Sequence, residues 1–196
     1  AGPGGGIYAV AGATLTVSGG TIDGNSASQA GGIYLDACVS ATERTVTITD
    51  AKISGNTSSS SAGGVYIGAY NTLKVGGAAK ISGNTSKTHG GGILLAGNAY
   101  AKLYLQDSAE ISGNTANGGN GGGGIYASSH SKVYMSGGAV SGNTASGTLG
   151  GGGIYAAYDV TLEITGGKIT DNTGGYGAGV CLIRLSDNEK ASGDEK

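Results

Sequence analysis

The chain has 196 residues, 43 of them glycine and only one proline, and its eleven Lys and Arg against thirteen Asp and Glu leave a formal charge of −2. The absence of a strict glycine triplet rich in proline excludes collagen, the lack of an apolar run of about 18 residues excludes a membrane-spanning helix in this segment, and the dispersal of the cations leaves no electrostatic footprint for nucleic acid or acidic lipid. The aliphatic content is low enough to suggest disorder, but the net charge is small and the aliphatic residues recur in register, which predicts a thin core fed by short strands.

Taken in chain order, the first aliphatic element is Gly5-Gly6-Ile7-Tyr8, and copies of it centre on Ile33, Val65, Ile93, Ile125, Ile154 and Val180. The second is a period-2 alternation, Leu15-x-Val17, repeated as Val46-x-Ile48, Leu73-x-Val75, Leu103-x-Leu105, Val133-x-Met135 and Leu162-x-Ile164. The third is a single aliphatic residue, Ile22, Ile53, Ile81, Ile111, Val140 or Ile169, that leads within three residues to Asn25, Asn56, Asn84, Asn114, Asn143 or Asn172. Those asparagines fall 28 to 31 residues apart, the signature of a repeat protein.

Each strand of such a unit has only one or two inward residues, too few to bury a face within its own repeat. Stacking like upon like solves this, and the crossover rule sets the hand of the coil. The expected fold is all-β: a right-handed parallel β-helix of about six to seven coils of about 29 residues, with three short strands per coil. Residues 1–185 are expected to form this single repeat domain, as a segment of a longer array because the chain opens inside a repeat, and residues 186–196 a charged polar tail.

Period-2 logic assigns faces. Beside the first element the outward column reads Tyr8, Tyr34, Tyr66, Leu94, Tyr126, Tyr155 and Cys181; on the second sheet it reads Thr16, Thr47, Lys74, Tyr104, Tyr134 and Glu163, flanked by Thr14, Thr45, Thr72, Lys102, Lys132 and Thr161. Lys80 and Glu110 should meet across one rung. The asparagines are expected to form a structural ladder at a corner, each amide bonding to neighbours above and below, and the glycine before each one (Asp171 before Asn172) suits a turn. Cys38 and Cys181 fall five rungs apart, roughly 24 Å at the strand spacing, which predicts two unpaired thiols.

The pairing of Gly31-Gly32-Ile33, Gly63-Gly64-Val65 and Gly91-Gly92-Ile93 with Ile53-Ser54-Gly55-Asn56 and its copies resembles the β-helical repeats of bacterial surface adhesins, of the chlamydial polymorphic outer membrane protein and autotransporter passenger type. It is also similar to large Gly-, Thr- and Asn-rich surface proteins of gut and oral bacteria. The resemblance covers residues 4 to about 182. It implies an extracellular or bacterial cell-surface location and adhesion to a host or cell-surface glycan or protein, and it supplies no catalytic residues.

Enzymes built on β-helices gather two or three carboxylates on one outward face, often with a metal or a basic residue. Here no Asp or Glu occurs from Ala51 to Gln106, and no column repeats an acid on neighbouring rungs. No catalytic residue, cofactor or metal site is therefore expected; His89 and His130 lie in different loops without a second ligand at metal spacing, and the Gly121-Gly122-Gly123-Gly124 run lacks the Lys-Ser or Lys-Thr of a phosphate loop. The candidate binding residues are Tyr8, Tyr34, Tyr66, Tyr126 and Tyr155, whose stacked rings would offer apolar faces and hydroxyls to a sugar or another chain. The same column is also what strong β-formers give when they stack on one another under long loops. The functional expectation is a non-catalytic stalk or adhesin. The alternatives are a carbohydrate-active β-helix of polysaccharide lyase or glycoside hydrolase type, and a self-assembling filament or cell-to-cell contact module.

Overall fold

A computed structural model describes residues 2–96 and 100–184; the expected tail, 186–196, lies outside the described residues. One middle coil shows the plan. Its strands are Val65–Ile67, Asn71–Gly76, Lys80–Ser82 and Thr85–Ser86, and each pairs in parallel with its counterparts in the coils before and after. Like strands stack into four sheets of seven, six, six and five strands, giving a parallel β-helix of about six turns. The helical content of the described residues is one 3₁₀ turn, Ser40–Thr42, in the second coil.

The three expected strands are present in register: Ile33 opposite Val65 and then Ile93, Leu73 between Val46 and Leu103, Ile81 between Ile53 and Ile111. The count of three per coil needs correction, because a fourth, two-residue strand follows each asparagine from Ser26–Ala27 to Thr144–Ala145. Its single inward residue is Ala27, Ser58, Ser86, Ala116 or Ala145, so no apolar alternation marks it in the sequence.

Inward residues of the first three sheets form one continuous core. Ile53, Ile81, Ile111 and Val140 are fully buried in a single column, while Ile22 and Ile169, in the first and sixth coils, are partly buried against it. Burial of one such side chain is worth about 1.5–3 kcal/mol, and repetition along the axis makes the column the main source of stability.

The two sequence signatures of each repeat meet across this core. A Cβ placed on Gly64 would lie 2.5 Å from the carbonyl oxygen of Gly92, 3.0 Å from Ile81 Cγ2 and 3.2 Å from Asn84 Nδ2. Gly64 is therefore glycine because the coil is pinched there against its own third strand. Gly83 has a different reason: φ is +63° and the space around it is open, so the turn requires the left-handed region and nothing more. Asp171 occupies the equivalent turn of the sixth coil at φ 56°, as a residue that tolerates this region.

Candidate binding surface

The asparagine ladder is shown as a structural device. Asn84 Oδ1 accepts from both the backbone N–H and Nδ2 of Asn56, each at 3.0 Å, and Asn84 Nδ2 donates to Asn114 Oδ1 at 2.9 Å and to the Ile53 carbonyl at 3.0 Å. The same pattern runs from Asn25 to Asn172, and Asn56, Asn84, Asn114 and Asn143 are fully buried. An amide has two donors and two acceptor sites, so all four are satisfied inside the protein.

The tyrosine column of the first sheet is less open than its outward position suggests. It forms two stacks interrupted by Leu94, which is itself buried. Tyr8, Tyr34 and Tyr66 stack with ring centroids 5.4 and 4.6 Å apart; Tyr126 and Tyr155 stack at 5.0 Å with planes 3° apart. Tyr8 is exposed, Tyr34, Tyr66 and Tyr126 are half-buried, and Tyr155 is buried at 6% exposure. Loops account for the covering. His89 packs edge-on to Tyr126 at 4.8 Å, and Cys181, next in the column after Tyr155, lies with its Sγ 3.8 Å from the Leu149 carbonyl. Burial, reinforced by neighbouring phenols, pushes the Tyr34 and Tyr126 hydroxyls up to about 12. Tyr126 and Tyr155 thus carry packing of their own, and the exposed part of the column is Tyr8, whose hydroxyl donates to Asp36 Oδ2 at 3.2 Å.

A second aromatic surface lies on the second sheet and the corner before it, with Tyr100 exposed and Tyr104 and Tyr134 half-buried. Tyr104 and Tyr134 are register partners, stacked at 4.8 Å, and Lys74 on the preceding coil places Nζ 5.9 Å from the Tyr104 ring centroid. Lys102 and Lys132 stand in register beside them. At the corner, Tyr70, Tyr100 and His130 each sit two residues before the Thr72, Lys102 and Lys132 row, with Tyr70 and Tyr100 rings 5.5 Å apart and Tyr100 and His130 rings 6.3 Å apart. Sequence reasoning did not single out these three corner residues, because they lie outside the apolar alternation. The visible signal was a spacing of two, Tyr100-x-Lys102-x-Tyr104 and His130-x-Lys132-x-Tyr134.

Those corner residues adopt an unusual backbone. Tyr70, Tyr100 and His130 have φ of 53°, 47° and 64°, in the left-handed region, where an L residue costs about 1–2 kcal/mol. In the first coil the position four residues before the Thr16–Thr47–Lys74 row is Gly12, with φ +77°.

A second feature missed in the sequence is a buried polar node between the first two sheets. Arg44, 8% exposed, donates from Nε to Asn71 Oδ1 at 2.6 Å and from its terminal nitrogens to the carbonyls of Val10, Ala13, Ala9 and Asp36. Asn71 in turn donates Nδ2 to the carbonyls of Asp36, Gly68 and Ala69. Arg44 thereby satisfies the carbonyls of Ala9, Val10 and Ala13 in the first coil and of Asp36 in the second, at the cost of desolvating a charge. Its signal was an inward register, Arg44-x-Val46-x-Ile48 and Asn71-x-Leu73-x-Val75.

Several carboxylates are occupied by turns. Asp50 Oδ1 accepts the Ala78 N–H at 2.7 Å, and Asp107 Oδ2 accepts the Gly77 N–H at 2.8 Å. Glu110 forms the expected pair with Lys80 at 3.0 Å, which as an exposed contact is worth about 0–1 kcal/mol. Among the described residues no group of three or more His, Cys, Asp or Glu is placed to hold a metal ion. Compared with known proteins, the chain matches no family model, no curated protein and no solved structure.

Proposed function

We propose that this chain is a non-catalytic segment of an extracellular bacterial surface protein, a rigid β-helical module that acts as stalk and adhesive surface toward glycan or protein. The observation that carries the reading is the rung-by-rung alignment of outward, half-buried aromatic and cationic side chains on a scaffold whose interior is consumed by the aliphatic core and the asparagine ladder. A surface with one side-chain triplet per strand spacing suits a repeating polymer or another chain. The resemblance of the Gly-Gly-aliphatic and aliphatic-x-x-Asn elements to adhesin repeats supports the same reading. So does the engagement of Asp50 and Asp107 in turns, which leaves them poorly placed for acid–base work.

The test is a glycan array and a panel of host surface proteins probed with the purified segment, alongside sedimentation velocity and an assay for newly formed reducing ends. Saturable binding without release of reducing ends is the expected result. Cleavage of a polysaccharide would replace this reading with the carbohydrate-active one, and concentration-dependent polymerisation without ligand would replace it with the filament.

A further inference from the structure

We propose that the second-sheet face of the fourth and fifth coils is a binding site for an extended acidic oligosaccharide, a polyuronate, whose rings stack on tyrosine and whose carboxylates meet lysine. This rests on the reading of the chain as a binding module and names the site and ligand class within it.

Four observations converge on this face. The first is its pattern. Two successive coils present similar outward triplets, Tyr100, Lys102 and Tyr104 and then His130, Lys132 and Tyr134, with Lys102 opposite Lys132, Tyr104 opposite Tyr134 and His130 in the place of Tyr100. The result is a row of lysines between two rows of rings. The second is access, since Tyr100, His130 and Lys74 are exposed and Tyr104, Tyr134, Lys102 and Lys132 are half-buried.

The third is backbone strain. Tyr70, Tyr100 and His130 hold rings at a turn whose left-handed φ would be met without cost by glycine, as it is at Gly12. Four consecutive coils bear that cost at one register, Asp159 at φ 56° being the fourth, and in the three coils that carry the lysines an aromatic ring is projected at the corner. The turn itself sets the strain, and the three lysine-bearing coils meet it with a ring where glycine or aspartate serves in other coils, which points to use of the rings.

The fourth is how the charges are bounded. Lys74, Lys102 and Lys132 form the cationic centre, while Glu43 before it and Asp159 and Glu163 beyond it close the face at both ends. Glu43 is held 3.6 Å from Lys102 with both side chains partly exposed, so a ligand carboxylate can take its place. His130 Nε2 lies 3.9 Å from Asp159 at the other limit. The open length is about three strand spacings, roughly 14 Å, which suits a short stretch of sugar rather than a long polyanion.

Ring chemistry selects the ligand. The apolar face of a pyranose packs on a tyrosine ring, and a uronate carboxylate set to one side of that ring reaches an ammonium group. The strand spacing of about 4.8 Å is close to the advance per residue of an extended pyranose chain, so successive sugars fall on successive coils. A single-stranded nucleic acid would also stack on such rings. It is disfavoured because three lysines flanked by three carboxylates give little phosphate neutralisation.

The experiment is calorimetry with the intact chain and a galacturonate hexamer, its fully methyl-esterified form and an oligothymidylate as probes. The acid form should bind at least tenfold more tightly than the ester and weaken with added salt. Lys102→Gln combined with Lys132→Gln should abolish that difference. Tyr104→Ala combined with Tyr134→Ala should lower affinity for both sugars at least tenfold, and Lys52→Gln combined with Lys168→Gln, exposed lysines of the third sheet, should leave binding unchanged. The Lys102 and Lys132 pair is on the surface, so its variant remains informative if the tyrosine variant is destabilised. Equal affinity for acid and ester, tighter binding of oligothymidylate, or binding that survives the lysine and tyrosine substitutions overturns this site. If sugar or protein binding is then found elsewhere on the chain, the adhesive reading still stands; if the chain binds neither, both readings fall.

Discussion

Asn84 Nδ2 donates to Asn114 Oδ1 at 2.9 Å, and both side chains are fully buried. Each amide in the column completes the hydrogen bonding of its neighbour, so the ladder behaves as one connected network rather than as separate contacts.

Asn84→Ala should therefore be among the most destabilising single changes. It leaves the Asn56 N–H and one Asn56 Nδ2 hydrogen without their acceptor, at about 1–3 kcal/mol for each buried group. Asn25, at the first rung, contributes its own donors but is only partly buried. Its replacement by alanine should cost about 0.5–1.5 kcal/mol. Urea unfolding of the two variants would compare them, and equal losses would show that the ladder is not the cooperative unit described.

The two kinds of glycine should respond in opposite ways. Gly83→Asn should change stability by less than about 1 kcal/mol, because the turn is open and Asn tolerates positive φ, whereas Gly83→Ala should cost about 1–2 kcal/mol. Gly64→Ala places a methyl 2.5 Å from a backbone carbonyl and should cost at least the upper end of about 1–3 kcal/mol. Thermal melts of the three variants would check the order, and a well-tolerated Gly64→Ala would refute the pinched coil.

Much of the fold was legible because a solenoid writes each structural requirement several times. Ile53, Ile81 and Ile111 recur in one register because each must fill the same volume, and the asparagines recur because each is the partner of the next. Features that do not repeat were harder to read. Arg44 occurs once, and its acceptors, the Asn71 side chain and four backbone carbonyls mostly in loops, are ones that sequence periodicity cannot place. The fourth strand escaped notice because one small inward residue has no period. For the candidate surface, alternation identified which way Tyr155 points and loop length suggested covering, but not which of the five tyrosines the loops cover. The corner rings of Tyr70, Tyr100 and His130 were hidden by their left-handed backbone, which belongs to no strand pattern.

Ser58 and Ser86 are register partners in the fourth sheet, buried, with no hydrogen-bond partner for either hydroxyl. The equivalent residues in three other coils are Ala27, Ala116 and Ala145. Ser86→Ala should therefore stabilise the protein by about 1 kcal/mol by removing an unsatisfied polar group. A lower denaturation midpoint for this variant would show that the hydroxyl has a partner after all.

Cys38 and Cys181 are free and buried, on coils five rungs apart in the first-sheet order. Both should react with a thiol reagent on unfolding, without prior reduction, and slowly or not at all in the native state. Finding one intramolecular disulfide in the purified monomer would contradict the coil count.

Alkaline pH should weaken the fold through the covered tyrosines. Burial raises Tyr34 and Tyr126 from 10.0 to about 12, so their contribution to stability is fully present below 10.0 and is lost as pH rises toward about 12. Across that interval the unfolded chain has released phenolic protons that the folded chain retains, which sets the sign. Tyr126→Phe keeps the ring contacts with His89 and Tyr155 but has no proton to lose. Its denaturation midpoint should decline less steeply with pH than that of the parent chain, and parallel declines would mean that Tyr126 ionises alike in the folded and unfolded states.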